Sequence, residues 1–163
     1  TTTPVSSSDG TSLDSLILRA PSLKRRSYSL RLRVWAAQDL VGPSSRSSPS
    51  TFVVVKLNGT MLQTDVERES MNPTWNQELT FALLVPCLSD NVDVQLWHER
   101  RTGADQLLAT AQLSITSIIT HDFGPVWVNL YGAVPSTVDV VRGDLLLLFF
   151  LCSTKNTTCQ TYV

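Results

Sequence analysis

A chain of 163 residues with 42% hydrophobic and 17% charged side chains suits one domain with tails and can build a core, which excludes wholesale disorder. Its net charge of −1 excludes a global basic excess, so binding to nucleic acid or anionic lipid would have to come from a local patch. The longest apolar run, Leu145 to Cys152, is far short of the roughly 20 residues a membrane-spanning helix needs, and it reads as a strand buried on both faces.

Residues 1–26 are rich in Ser and Thr and end on Lys24-Arg25-Arg26; they are expected to form a flexible linker. They show no signal-peptide order of basic, apolar and small residues, and read as an internal linker of a longer protein. The first strand, Leu30 to Trp35, has a period of two: Leu30, Leu32 and Val34 share one face, and Arg31, Arg33 and Trp35 the other. Gly42 to Ser50 is dense in turn formers and reads as a loop. Phe52 to Leu57 is a β-branched strand, and Asn58-Gly59 predicts a type I′ hairpin returning along Thr60 to Val66. Further strands are expected at Trp75 to Leu84, Val92 to Trp97, Leu107 to Ile115, Val126 to Leu130 and Asp144 to Cys152, with a single helical turn within Leu113 to Ile119. Eight short strands without a long helical pattern predict an all-β fold, an eight-stranded antiparallel β-sandwich. The ordered domain is expected over 27–153, with 154–163 as a flexible tail.

Catalytic signals are absent from the sequence. His98 and His121 lack partners at metal spacing, no Ser-His-Asp or Cys-His arrangement stands out, and no glycine-rich phosphate loop occurs. Cys87, Cys152 and Cys159 are an odd set too small for a disulfide framework, and read as free thiols in a reducing compartment. Trp75, Trp97 and Trp127 read as core or fold signature; Trp35 is either a protein contact or, the preferred reading, packed beneath a loop.

Four segments carry a resemblance: Leu32 to Leu40, Phe52-Val53-Val54-Val55, Asn72-Pro73-Thr74-Trp75-Asn76 and Leu107 to Ala111. In this order and spacing they resemble a C2 domain, a β-sandwich that docks proteins on membranes and on each other. The first strand opens directly on Leu32-Arg33-Val34, and a further strand follows the Trp127 region, which implies the circularly permuted, type II topology. Gly124 to Gly132 followed by Arg142-Gly143-Asp144-Leu145-Leu146 is similar to the run that closes an inner C2 domain of ferlins, large membrane-anchored fusion and repair proteins. The chain departs from ferlins in the shorter connection between those two pieces.

The resemblance also implies where a calcium site would stand. Five positions correspond to C2 ligands: Ser44 and Ser50 in one loop, and His98, Arg100 and Gln106 around the other. Calcium needs 6–8 oxygen ligands, mostly carboxylate, and none of the five is acidic. Arg100 places a positive charge where the cation would sit. Glu99 and Asp105 are nearby but off the pattern, and Val41 to Thr51 holds no acidic residue. No metal or other cofactor is therefore expected, and the domain is expected to act without calcium.

Two basic groups are candidates for an anionic membrane or an acidic protein partner. One is Arg46, Arg100 and Arg101 at the tip; the other is Lys24, Arg25, Arg26, Arg31 and Arg33 along the first strand. Each has the alternative of being solvated surface charge. Met61 to Val66, matching a strand often lysine-rich in C2 domains, has no basic residue, which argues against phosphoinositide specificity. The expectation is a non-catalytic module of a larger cytoplasmic protein, held at the cytosolic face of a membrane and contributing to trafficking or fusion. The alternative is a scaffold that contacts protein or other domains of its own chain, and no nucleic acid partner is expected.

Overall fold

The computed structural model describes residues 24–43, 48–87, 89–120, 124–132, 141–153 and 159–160. Its elements are β1 (Arg26–Gln38), β2 (Thr51–Leu57), β3 (Thr60–Gln63), β4 (Thr74–Val85), β5 (Asn91–His98), β6 (Gln106–Ser114), α1 (Ile115–Thr120), β7 (Val126–Gly132), β8 (Val141–Ser153) and β9 (Cys159–Gln160). The strands run in the order β3-β2-β5-β6-β7-β8-β1-β4, with β9 added beside β8. All named pairs are antiparallel. Between β6 and β7 only Ala109↔Gly132 and Thr110↔Tyr131 pair, so the ribbon folds there into two layers, β3-β2-β5-β6 and β7-β8-β1-β4. The last long strand lies beside the first, and β1 is central in its layer, as the type II topology requires.

One apolar cluster fills the space between the layers. Leu30, Leu32 and Val34 of β1 are 1%, 1% and 0% exposed, as their alternation predicts, and meet Val53 and Val55 from β2, Val94 and Leu96 from β5 and Leu145 and Leu147 from β8. Burying such side chains is worth roughly 1.5–3 kcal/mol each, enough to specify which face of every strand turns inward.

Local chemistry accounts for the turns. Asn58 (φ 48) and Gly59 (φ 81) both take the left-handed region, as the hairpin between β2 and β3 demands. The expected strand Thr60 to Val66 ends at Gln63. The buried Thr64 donates its N–H to the Val53 carbonyl at 2.9 Å, but its Oγ1 accepts the Val53 N–H at 3.0 Å. The side chain thereby stands in for the next ladder carbonyl, and the backbone leaves the sheet. α1 overlaps the expected helical turn and extends one residue beyond it, to Thr120. Asp90 caps it from outside, Oδ1 accepting the Thr116 N–H at 2.7 Å and Oδ2 the Ser114 hydroxyl at 2.5 Å. These donors, with the Thr116 hydroxyl, hold the Asp90 carboxyl below its usual range.

Three expectations need correction. β8 is buried on one face only: Leu145, Leu147 and Phe149 point into the core, whereas Leu146, Leu148 and Phe150 are partly exposed on the other side, because among the described residues no third layer covers them. Trp127 is 47% exposed and is not core, and Trp35 is 40% exposed and not packed beneath a loop. Cys152 is disulfide-bonded, against the expectation of free thiols; β9 brings the Cys159 backbone directly opposite it, a pairing that a seven-residue separation did not advertise. Cys87 is free, and burial together with the nearby Asp90 charge pushes its thiol up.

Candidate functional site

The loops at one end of the sandwich are fastened by the segment that the sequence made most conspicuous. Asn72 Oδ1 accepts the Asp39 N–H at 2.9 Å, the Pro73 carbonyl accepts the Ala37 N–H at 2.9 Å, and the Met71 carbonyl accepts the Leu40 N–H at 3.1 Å. Trp75, 7% exposed, donates its indole N–H to the Thr51 carbonyl at 3.2 Å. Asn72 to Trp75 thus binds the start of the first tip loop to the base of β2. The role is structural, and Asn72 is chosen because a side-chain carbonyl reaches a turn N–H that no strand can satisfy.

A second set of contacts ties in the loop between β5 and β6. The Glu99 N–H donates to the Ser50 carbonyl at 2.9 Å, and His98 Nδ1 lies 3.0 Å from the same oxygen. A carbonyl only accepts, so that nitrogen carries a proton and donates. Ser50, His98, Arg100 and Gln106, four of the five positions that the resemblance reads as ligands, come together here. Ser44 and Arg46 lie outside the described residues, as do His121 and the segments 1–23, 154–158 and 161–163.

Three acidic groups at this tip, Glu99, Glu69 and Asp105, are engaged with cations or backbone. Glu99 pairs with Arg68 at 2.9 Å and Glu69 with Arg101 at 3.2 Å. Asp105 accepts the Arg100 N–H at 3.2 Å, and the Arg100 guanidinium donates to the Gln106 side-chain oxygen. Among the described residues no three of His, Cys, Asp or Glu gather in an arrangement fit to hold a metal ion. At the described positions that the resemblance reads as ligands stand an amide, a hydroxyl, an imidazole and a guanidinium, and of these the amide carbonyl is an ordinary calcium ligand while the carboxylates that supply most of a calcium shell are not among them. Arg68 and Glu69 were not singled out in the sequence. Their loop is fixed to the tip by Thr51 pairing with Glu67 and by the Ser70 N–H donating to the Pro49 carbonyl at 3.1 Å, and no local pattern announces those links.

The basic residues of β1 stand elsewhere. Arg31 and Arg33 project from the outer face of the β7-β8-β1-β4 layer, each 3.6 Å from Glu78 of β4. Arg31 also donates to the Cys152 sulfur at 3.2 Å and lies 5.7 Å from the Phe150 ring centroid. Lys24, Arg25 and Arg26 are exposed at the start of the strand, at the end of the sandwich away from the tip. The structure therefore separates the two basic groups rather than merging them.

A type II antiparallel sandwich with three loops knitted at one tip defines a class of small β modules. Among solved structures, a C2 domain of a plant Extended Synaptotagmin 1 shares this fold with a TM-score of 0.65 at 17% identity, covering 78% of this chain and 96% of that one. Residues 28–130 match the C2 domain family, and the chain belongs to it. Its C2 region is ferlin-like: it is 34% identical to Ferlin 1 of Toxoplasma gondii over 121 residues, 71% of this chain, and 34% identical to Fer-1-like protein 4 of Mus musculus over 93 residues, 52% of this chain. The chain spans 8% of the first and 5% of the second. Among the described residues no helix is long and apolar enough to cross a membrane.

Proposed function

We propose that this chain is a non-catalytic, calcium-independent C2 module of a larger membrane-associated protein, contributing to docking, trafficking or fusion at the cytosolic face of a membrane. We take the domain as 27–153, between a linker at 1–26 and a tail at 154–163; β8 ends at Ser153, and β9 joins Cys159–Gln160 of that tail to its edge. The observation that carries calcium independence is the tip. Arg100 stands where the C2 resemblance reads a ligand position, and Glu69 and Glu99 are each paired with an arginine. Glu69 and Glu99 then have their countercharges within the protein, and a divalent cation drawn to either would have to displace an arginine as well as its own water. A structure of two C2 domains of Extended-Synaptotagmin 2 is calcium bound, so the shared fold is compatible with the ion and the proposed calcium independence rests on this chain's own side chains. The ferlin and extended synaptotagmin relatives support the membrane setting.

A second reading, a scaffold that touches only protein or other parts of its own chain, draws support from the engagement of Arg100 and Arg101 within the tip. Sedimentation with phosphatidylserine-containing vesicles, in chelator and in millimolar calcium, separates the two. Equal binding in both conditions, weakening with salt because exposed charges are screened beyond about 10 Å at 0.1 M, is the expected result. Binding that appears only with calcium overturns calcium independence, and no binding in either condition favours the scaffold. Calorimetry shows the same difference directly: a calcium-dependent rise in melting temperature would reveal a metal bound to the folded state.

A further inference from the structure

Strand alternation gives the β7-β8-β1-β4 layer an outer face with an unusual make-up. On β8 the outward positions are Leu146, Leu148 and Phe150, all partly exposed. Leu146 pairs with Trp127 on one side. On the other side the register shifts between Val34 and Ala36, so that Trp35 and Ala36 together oppose Leu146. Trp35 and Trp127, 40% and 47% exposed, thus stand at either side of Leu146. Their strands lie two positions apart in the sheet, about 10 Å. Further along, Arg33 is opposite Leu148 and Arg31 opposite Phe150, so guanidinium groups border the apolar stripe on its β1 side at these two positions.

The charge of this face is not that of the chain. The chain carries a net −1. Arg31 and Arg33 both lie against the carboxylate of Glu78, and Lys24, Arg25 and Arg26 are exposed at the end of the same strand. Glu78 and Asp144 are the acidic residues on the described outer positions of these strands, and Asp144 accepts from Gln38 at 3.3 Å. Positive charge is therefore gathered around an apolar stripe flanked by two indoles. Indoles favour the boundary between acyl chains and headgroups, with the ring in the apolar part and the N–H in the polar part. Arginine stems lie along apolar surface while the guanidinium reaches phosphate, and each basic residue near an anionic surface contributes roughly 1 kcal/mol.

We propose that this outer face, and not the loop tip, is where the domain lies on an anionic bilayer. The inference rests on the membrane-docking reading above and names the surface that performs it. The tip is the rival surface, since Val41 and Met71 are 44% and 41% exposed there beside Arg100 and Arg101.

The test uses the 163-residue chain and vesicles of phosphatidylcholine with and without phosphatidylserine, in chelator. The face variant Trp35→Ala, Trp127→Ala is expected to bind phosphatidylserine vesicles at least tenfold more weakly, and the tip variant Val41→Ala, Met71→Ala, Arg100→Ala, Arg101→Ala to bind within twofold of wild type. Brominated acyl chains are expected to quench wild-type emission, and Trp35→Phe, Trp127→Phe to remove most of that quenching while keeping its melting temperature, which guards against loss by unfolding. Loss of binding in the tip variant alone overturns this proposal and leaves the membrane reading standing. Absence of binding by wild type overturns both. Self-association of wild type that the face variant abolishes, without vesicle binding, assigns the surface to a protein partner and also overturns the proposal.

Discussion

The two faces of β8 carry nearly the same side chains and meet different surroundings. Leu145, Leu147 and Phe149 point between the layers and are 0%, 0% and 3% exposed; Leu146, Leu148 and Phe150 point the other way and remain partly exposed. Composition does not distinguish the two sets. What distinguishes them is that β3-β2-β5-β6 faces the first and nothing among the described residues is layered over the second. Apolar character in a strand therefore reports a demand for burial, and whether the domain itself meets that demand depends on how many layers it builds.

That contrast can be broken by substitution. Leu147→Ala is expected to cost about 3 kcal/mol, since it opens a cavity in close-packed surroundings, whereas Leu148→Ala is expected to cost at most about 1 kcal/mol. Urea denaturation of both variants checks this, and equal losses would mean that the outer face is covered in solution. Next in size is Gly143→Ala, at the entry to β8. Gly143 has φ 134, and an added Cβ would come within 2.7 Å of Leu40 Cδ2 and 2.8 Å of the Gln38 carbonyl. A loss of about 2 kcal/mol is expected, read as a lower melting temperature; a neutral result would show that the β1–β8 corner yields more easily than the core.

Smaller effects sharpen the contrast between packed and polar regions. The Asp90 carboxyl is held below its usual range by the Ser114 hydroxyl first, then by the Thr116 hydroxyl and N–H. Its contribution is fully present above the ordinary carboxylate range and is lost as pH falls through the lowered value. Asp90→Asn should therefore differ most from wild type in melting temperature near neutral pH and converge with it in acid; a difference that does not change with pH would refute the linkage. Least of all, Arg101→Ala removes an ion pair whose side chains are 88% and 70% exposed, and a change within about 0.5 kcal/mol is expected by chemical denaturation.

Much of the fold was legible because alternation is a local property. Leu30, Leu32 and Val34 turned inward as read, the Asn58-Gly59 hairpin formed, and the helical turn appeared where expected. The tip was legible only in outline. Side-chain type at Ser50, His98, Arg100 and Gln106 could be read from the resemblance, but not that Arg68 reaches Glu99 or that Arg101 reaches Glu69, partners about thirty residues apart. Trp35 and Trp127 were misread for a related reason. A tryptophan has the same local pattern whether the space above it is filled or empty.

The sequence by itself determined strand positions, which face of most strands turns inward, and the chemical character of the tip, since each follows from residue type and spacing along the chain. Only the tertiary structure decided that β8 has a single buried face, that two indoles share a row across β7, β8 and β1, that Glu78 stands between Arg31 and Arg33, and that the two basic groups lie apart. Those outcomes depend on register and layering between distant segments. Register and layering are set by the sum of many buried contacts rather than by any one stretch of residues.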